Sequence, residues 1–224
     1  MDELTTTILK NCHLFETIPE EKYPNILNCL SANYKNFKKG ETVVTIGETD
    51  KSAGIVLEGT VELAFYDENG HQVIHNHIHS GILFGSERAC CDWCESMIEL
   101  KCLTDSRILF LQFNHLLEAA DVSCPYRTMV TSNLLKEFAR QIQFLNFKLQ
   151  IISQKKLRDK LKIYLRTLNV DENNTVTVPY NRNEFSDFLG ADRSALSREL
   201  CRMRDDGLIR FDGSRIQILD ADFF

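Results

Sequence analysis

The sequence predicts an α+β protein. An N-terminal antiparallel β-roll (double-stranded β-helix or jelly-roll type) with flanking helices precedes a long dimerisation helix and a C-terminal winged helix-turn-helix. Three stretches carry that reading. Residues 34–113 hold short runs rich in β-branched and aromatic residues, broken by glycines every 5 to 11 positions, the pattern of many short antiparallel strands. From about Pro125 to Gln154 the apolar spacing turns helical. Asn181–Arg204, NRNEFSDFLGADRSALSRELCRMR, then reads as two short helices about a tight corner. The expected division is 1–124 for the roll and its helices, 125–154 for the long helix and 155–224 for the helix-turn-helix.

At the N-terminus, Leu4, Ile8, Leu14, Phe15, Tyr23, Ile26, Leu27 and Leu30 are spaced as in helices, with Pro19 and Pro24 between them. Short helices leading into strands fit this. In the roll, ETVVTIG, AGIVLEGTVELAFYDENG, HQVIHNHIHSGILFG and SRILFLQF are the strand patterns. Gly40, Gly47, Gly54, Gly59, Gly70 and Gly81 read as turn punctuation, and Asp67-Glu68-Asn69-Gly70 as a hairpin turn. In the long helix, Leu135, Phe138, Ile142, Leu145, Leu149 and Ile152 are spaced 3, 4, 3, 4, 3, an a/d seam. A seam this narrow favours helix against helix, most simply two copies in a dimer, over burial on its own domain. Lys155–Leu168 continues as helix. Thr175–Val178, Leu208–Phe211 and Arg215–Leu219 read as strands, with Asp212-Gly213 as the turn of a wing hairpin.

A chain of 224 residues with 43% hydrophobic and 26% charged residues can bury full cores and is not a disordered polymer. No run approaches the roughly 20 apolar residues of a membrane span. MDELTTTILKNCHLF lacks the basic start of a signal peptide, so a cytoplasmic location is expected. The cysteines at 12, 29, 90, 91, 94, 102, 124 and 201 then read as reduced thiols. The net charge of −6 is unevenly held: residues 154–224 carry 13 Lys and Arg against 12 Asp and Glu, and residues 1–153 carry 13 against 20. The C-terminal part, at +1, can still present a basic face.

Within Asn181–Arg204, Phe185, Phe188 and Leu189 give the first helix an apolar side, and Leu196, Leu200 and Met203 give the second a stripe. Asp192 is a good N-cap for the second. Its opposite face carries Arg193, Ser194, Ser197 and Arg198 in the first two turns. Those residue types bond guanine edges and phosphates, and those turns are the part of a recognition helix that enters a major groove. The alternative is a core hairpin with solvated arginines.

This order of roll, long helix and winged helix-turn-helix resembles the Crp/Fnr superfamily of bacterial transcription regulators. The likeness covers nearly the whole chain and is most specific at Tyr180–Ile209. It implies that Arg193, Ser194 and Arg198 stand where the family's recognition helix carries Arg, then Glu or Ser, with an Arg four residues after the second. Ser197 stands where several members have a small or hydroxyl residue, and Arg182 and Asn183 where members touch phosphate. Ser214 and Arg215 would touch phosphate from the wing. The implied protein is a homodimer on palindromic double-stranded DNA, with no catalytic residues, no membrane partner, and RNA polymerase as a further partner if it activates. Where members carry Glu at the second position it reads cytosine; Ser194 cannot do so in the same way, so the operator is not to be copied from them.

The likeness also bears on the signal. Members that bind cyclic nucleotides carry Gly-Glu-Leu, whose Glu holds the ribose, and later an Arg-Ser or Arg-Thr pair that neutralises the phosphate. Here those positions read Gly85-Ser86-Glu87 and about Ser96-Met97, with Arg88 on a different element. This argues against cyclic AMP or GMP; the cofactor is unknown. Iron–sulfur members have a tight N-terminal cysteine cluster, and Cys12 with Cys29 is too sparse for it. The effector-pocket candidates are Gly85, Ser86, Glu87, Arg88, Cys94 and Ser96. Cys90, Cys91 and Cys94 are candidates for a thiol or soft-metal redox switch, against the reading of cysteine as a small buried hydrophobe. His75, His77 and His79, spaced by two, share a strand face and could hold a metal as in cupin enzymes. The Glu that motif needs is missing, and a solvated face is the default. No metal site is assigned, and no nucleophile elbow, P-loop or dinucleotide fingerprint appears.

Overall fold

The structure, a computed structural model, describes residues 1–66, 72–91, 95–117 and 125–220, with 72–76, 114 and 115 as backbone alone. It forms two compact units, 1–139 and 140–224, whose boundary falls inside one helix.

In the first unit, α1 (Glu3–Asn11) starts where the Asp2 carboxylate accepts from the Thr5 amide at 2.7 Å. Short 3-10 turns at His13–Phe15 and Glu20–Lys22 lead to α2 (Tyr23–Cys29), with Pro24 in its first turn, where no amide partner is needed. Strands β1 (Asn33–Phe37), β2 (Thr42–Val44), β3 (Ser52–Glu58), β4 (Val61–Tyr66), β5 (Gln72–Ile78) and β6 (Leu83–Phe84) follow. Then come α3 (Ser86–Cys90), β7 (Glu99–Cys102), β8 (Ser106–Gln112) and α4 (Asn114–Leu117). The strands pair antiparallel in two sheets, β1-β8-β3-β6 and β2-β7-β4-β5.

Val56, Phe84 and Ile108 from one sheet meet Val44, Val61, Ile78 and Leu100 from the other, which makes the inside of the roll. On the outer face of the first sheet, Ala53, Ile55, Leu57, Leu109 and Leu111 join Ile8 and Leu9 of α1 and Ile26 and Leu27 of α2. β3 is therefore covered on both faces, and its sequence is apolar without alternation for that reason. Gly54 lies within β3, where a Cβ would collide with the Phe84 ring. The glycine rhythm thus does not mark turns throughout: this glycine serves close approach inside a strand.

The expected turn at 67–70 lies outside the described residues, but β4 and β5 on either side of it pair antiparallel. Their register shifts, with Leu63 opposite Asn76 and Ala64 opposite Ile74. That bulge falls at His75 and breaks the period of two in the backbone there, while the rings of His77 and His79 lie 6.4 Å apart. His79 lies beyond the end of β5, and His77 is 3.9 Å from Glu62. Among the described residues no three His, Cys, Asp or Glu side chains gather to hold a metal.

The long helix is α5 (Arg127–Ile152). Its first turns are anchored to the N-terminal helices. Val130 and Leu134 enter the roll's helical core, and the buried Asn133 amide donates to the carbonyls of Leu14 (3.1 Å) and Glu16 (2.7 Å).

The second unit continues with α6 (Leu157–Leu165), β9 (Thr175–Thr177), α7 (Arg182–Leu189), α8 (Arg193–Asp205), β10 (Ile209–Asp212) and β11 (Arg215–Ile218), the strands ordered β10-β11-β9. Leu161, Leu165, Phe185, Leu189, Leu196, Leu200, Met203, Ile209 and Ile216 form its core. Asp212 pairs with Arg215, so the wing turn is Gly213-Ser214, one residue later than expected. Among the described residues no helix is long and apolar enough to cross a membrane.

Candidate nucleic-acid interface

The local chemistry of 181–204 fixes two helices at a sharp corner. Asn181 accepts from the amides of Asn183 (2.9 Å) and Glu184 (3.0 Å), and Glu184 accepts from the Asn181 amide (2.8 Å). This is a capping box, whose sequence signal is Asn-x-x-Glu. α7 ends at Gly190, which takes the left-handed conformation (φ 57°) that glycine adopts without strain. The Lys160 ammonium donates to the carbonyls of Leu189 (2.8 Å) and Gly190 (3.3 Å) and completes the C-terminal cap.

α8 then separates its residues by face. Leu196, Leu200 and Met203 are buried. Arg193, Ser194, Ser197 and Arg198 are exposed and, at 100° per residue, span an arc of about 140°. The acid on this helix is drawn off elsewhere. Glu199 accepts from Arg158 of α6 at 2.6 Å, and Arg158 also reaches Asp206 at 2.8 Å. Arg193 and Arg198 make no ion pair among the described residues. Asp192 occupies the N-cap position with extended backbone, but its side chain makes no capping bond, contrary to the expectation from its type. The amides of the first turn are left to other acceptors.

The other expected contact residues differ in freedom. Asn183 and Ser214 are exposed. Arg215 is exposed and 3.7 Å from Asp171. Arg182 is partly buried: it donates to the Gly213 carbonyl at 3.0 Å and stacks its guanidinium 5.4 Å from the Phe211 ring centre. It fastens the wing to the start of α7.

A second surface lies along α5. Leu135 (64% exposed), Ile142 (57%) and Leu149 (58%) stand out to solvent with Leu145 and Ile152. Phe138 does not join them; it is half-buried against the roll's core.

Of the effector-pocket candidates, Gly85, Ser86, Glu87 and Arg88 lie at α3, and Ser96 lies apart from it, bonded to the backbone of Gly47 and Glu48. Gly85 has φ 68°. Ser86 and Arg88 are buried and Glu87 is exposed. Ser96 is buried and donates to the Ile98 carbonyl at 2.8 Å, and Met97 is exposed. Cys94 lies outside the described residues. Burial pushes the Cys90 thiol up to about 11, which disfavours the thiolate that a redox switch or soft-metal site would need there. Cys91 is exposed. Iodoacetamide at pH 7.5 should label Cys91 well ahead of Cys90, with Cys90 catching up only as pH nears 11. Peptide mass spectrometry reads this directly, and equal rates at pH 7.5 would refute the burial of Cys90.

Residues 34–122 match the cyclic nucleotide-binding domain, and residues 159–223 the Crp-like helix-turn-helix domain. The "Probable transcriptional regulator flp" of Lacticaseibacillus casei is 31% identical over 94 residues, 42% of this chain and 43% of that protein. The transcriptional activator protein FnrA of Stutzerimonas stutzeri is 24% identical over 191 residues, 82% of this chain and 75% of that protein. Among solved structures, the c-di-GMP responsive global regulator CLP of Xanthomonas campestris superimposes with a TM-score of 0.64. That match covers 91% of this chain and all of the other at 13% identity, a likeness of fold.

Proposed function

Since the chain belongs to the Crp/Fnr family of transcription regulators, a cyclic nucleotide-binding domain followed by a Crp-like helix-turn-helix, we propose that it acts as a homodimer on palindromic DNA. The roll receives a small-molecule or redox signal, and that signal sets the posture of two α8 helices. The observation that carries this reading is the exposed, unpaired set Arg193, Ser194, Ser197 and Arg198, opposite a stripe sunk in the core. Arg193 and Arg198 read base edges, and the serines add base or phosphate bonds. The uncapped first turn of α8 offers amides to a phosphate. Asn183, Ser214 and Arg215 line the backbone on either side. Arg182 serves chiefly by holding the wing, so its loss lowers affinity through position.

The exposed α5 stripe supports the dimer. A run of aliphatic side chains at heptad spacing on one helix is complementary to itself, as a two-fold interface requires. Two recognition helices held by such a seam fit half-sites about one turn of DNA, ~34 Å, apart.

The test is binding to operators selected from random DNA, read by fluorescence anisotropy. Arg198→Ala should weaken the selected site about 10- to 100-fold and relax preference at one base position. Unchanged affinity and unchanged preference would sink the DNA-reading role of α8.

A further inference from the structure

The roll holds a cation that nothing in the described chain neutralises. Arg88, on α3, is 8% exposed, and its Nε and Nη1 are buried with no hydrogen-bond partner. The Ser86 hydroxyl, on the same short helix, is fully buried and also without a partner. A buried charge is strongly unfavourable unless paired, and a buried donor without an acceptor adds to the cost. Two such groups on one five-residue helix point to an acceptor that the described residues do not supply.

Gly85 opens α3 with φ 68°, and the Arg88 guanidinium folds back over it: a Cβ on Gly85 would stand 3.4 Å from Arg88 Nη2. Such a Cβ would also stand 3.3 Å from the Ser52 carbonyl oxygen, so glycine is what lets the guanidinium lie this close to the backbone. Glu87, the neighbouring acid, is exposed. The place where cyclic-nucleotide-binding relatives carry their phosphate-neutralising arginine holds Ser96 and Met97 instead. The Ser96 hydroxyl is already bonded to the Ile98 carbonyl. The chain therefore lacks the cation on that element and has an unpaired one on α3.

We propose that Arg88, with Ser86, holds the oxyanion of a small ligand, a carboxylate or a phosphate, at α3 of the roll domain. A guanidinium makes paired, charge-assisted bonds to either group, and a serine hydroxyl adds one more donor. This deepens the reading of the roll as the signal-receiving domain and rests on it. It gives the signal a chemical class: an anion whose charge completes a site the apo roll leaves unpaired.

The test uses the full-length protein, melted in chloride buffer at constant ionic strength, with inorganic phosphate or acetate replacing part of the chloride. Arg88→Met and Arg88→Lys are run beside it. Wild type should gain about 4 °C or more in at least one of the two anions. Arg88→Met should not respond, and Arg88→Lys should respond more weakly. A response to phosphate assigns a phosphoryl ligand; a response to acetate assigns a carboxylate. In chloride alone Arg88→Met should melt at or above wild type, because it removes an unpaired buried charge. A lower melting temperature for Arg88→Met in chloride would reveal a counter-ion within the protein and overturn the proposal. So would the absence of any response in wild type, or an equal response in both proteins. No DNA enters these measurements, so their failure is distinct from failure of the Arg198 experiment.

Discussion

Leu145→Glu combined with Leu149→Glu should leave the protein monomeric and lower its affinity for a two-half-site operator by about a hundredfold or more. Both side chains are exposed on a single chain, so the fold of each protomer has little to lose. In a two-fold seam each position meets its own counterpart in the second copy. Glutamate at both therefore sets like charges against each other in an interface that was apolar. It also removes burial of about 1.5–3 kcal/mol for each leucine covered. A monomer would bind one half-site and forfeit the second contact, which in the dimer is already held at high effective concentration. Sedimentation velocity and anisotropy on the same samples test the two halves of the claim, and circular dichroism checks the fold. A doubly charged variant that still sediments as a dimer would remove α5 as the seam. Leu135→Glu should act in the same direction. Phe138→Glu should not behave as a seam variant, because that ring lies against the roll's core and its loss would destabilise the protomer.

Phe138 marks where sequence reading reached its limit. Heptad spacing placed it in the seam, but spacing cannot tell which side of a helix a neighbouring domain will claim. The start of α5 is taken by the N-terminal helices through Val130, Leu134 and Asn133, and Phe138 follows them. Local patterns were read well where the cause was local. The stripe of Leu196, Leu200 and Met203 became the buried face of α8, and the two short helices expected within Asn181–Arg204 formed as α7 and α8. Non-local causes were missed. Gly54 reads as a turn in the sequence, because the Phe84 ring that excludes its side chain arrives from another strand. The bulge at His75 depends on the register with β4. The burial of Arg88 is set by the packing of a five-residue helix against β3, which no spacing rule contains. Asn181 and Glu184 are a different case: their capping box is local, and Asn-x-x-Glu makes it legible in the sequence.

Phe185→Ala should destabilise the DNA-binding unit by about 3–5 kcal/mol, a lowering of its melting temperature by roughly 12 °C or more for a unit of this size. Phe185 is almost fully buried and sits 5.0 Å, centre to centre, from Tyr164. Tyr164 lies 5.1 Å from Phe188, and Phe188 lies 5.2 Å from Tyr180. The four rings lock α6, the entry to α7 and α7 itself together, and α8 lies against the same core through Leu196 and Leu200. The cavity left by alanine would therefore loosen the platform on which Arg193 and Arg198 stand, without touching either residue. Calorimetry separates this from base readout. Arg198→Ala should lose DNA affinity with an unchanged melting temperature, because Arg198 is exposed and makes no ion pair or hydrogen bond among the described residues. Phe185→Ala should lose DNA affinity only as its unit melts, and should recover it on cooling. The outcome that would sink the argument is a Phe185→Ala protein whose melting temperature moves by less than about 3 °C, since the aromatic cluster would then not be what holds the two helices at their angle.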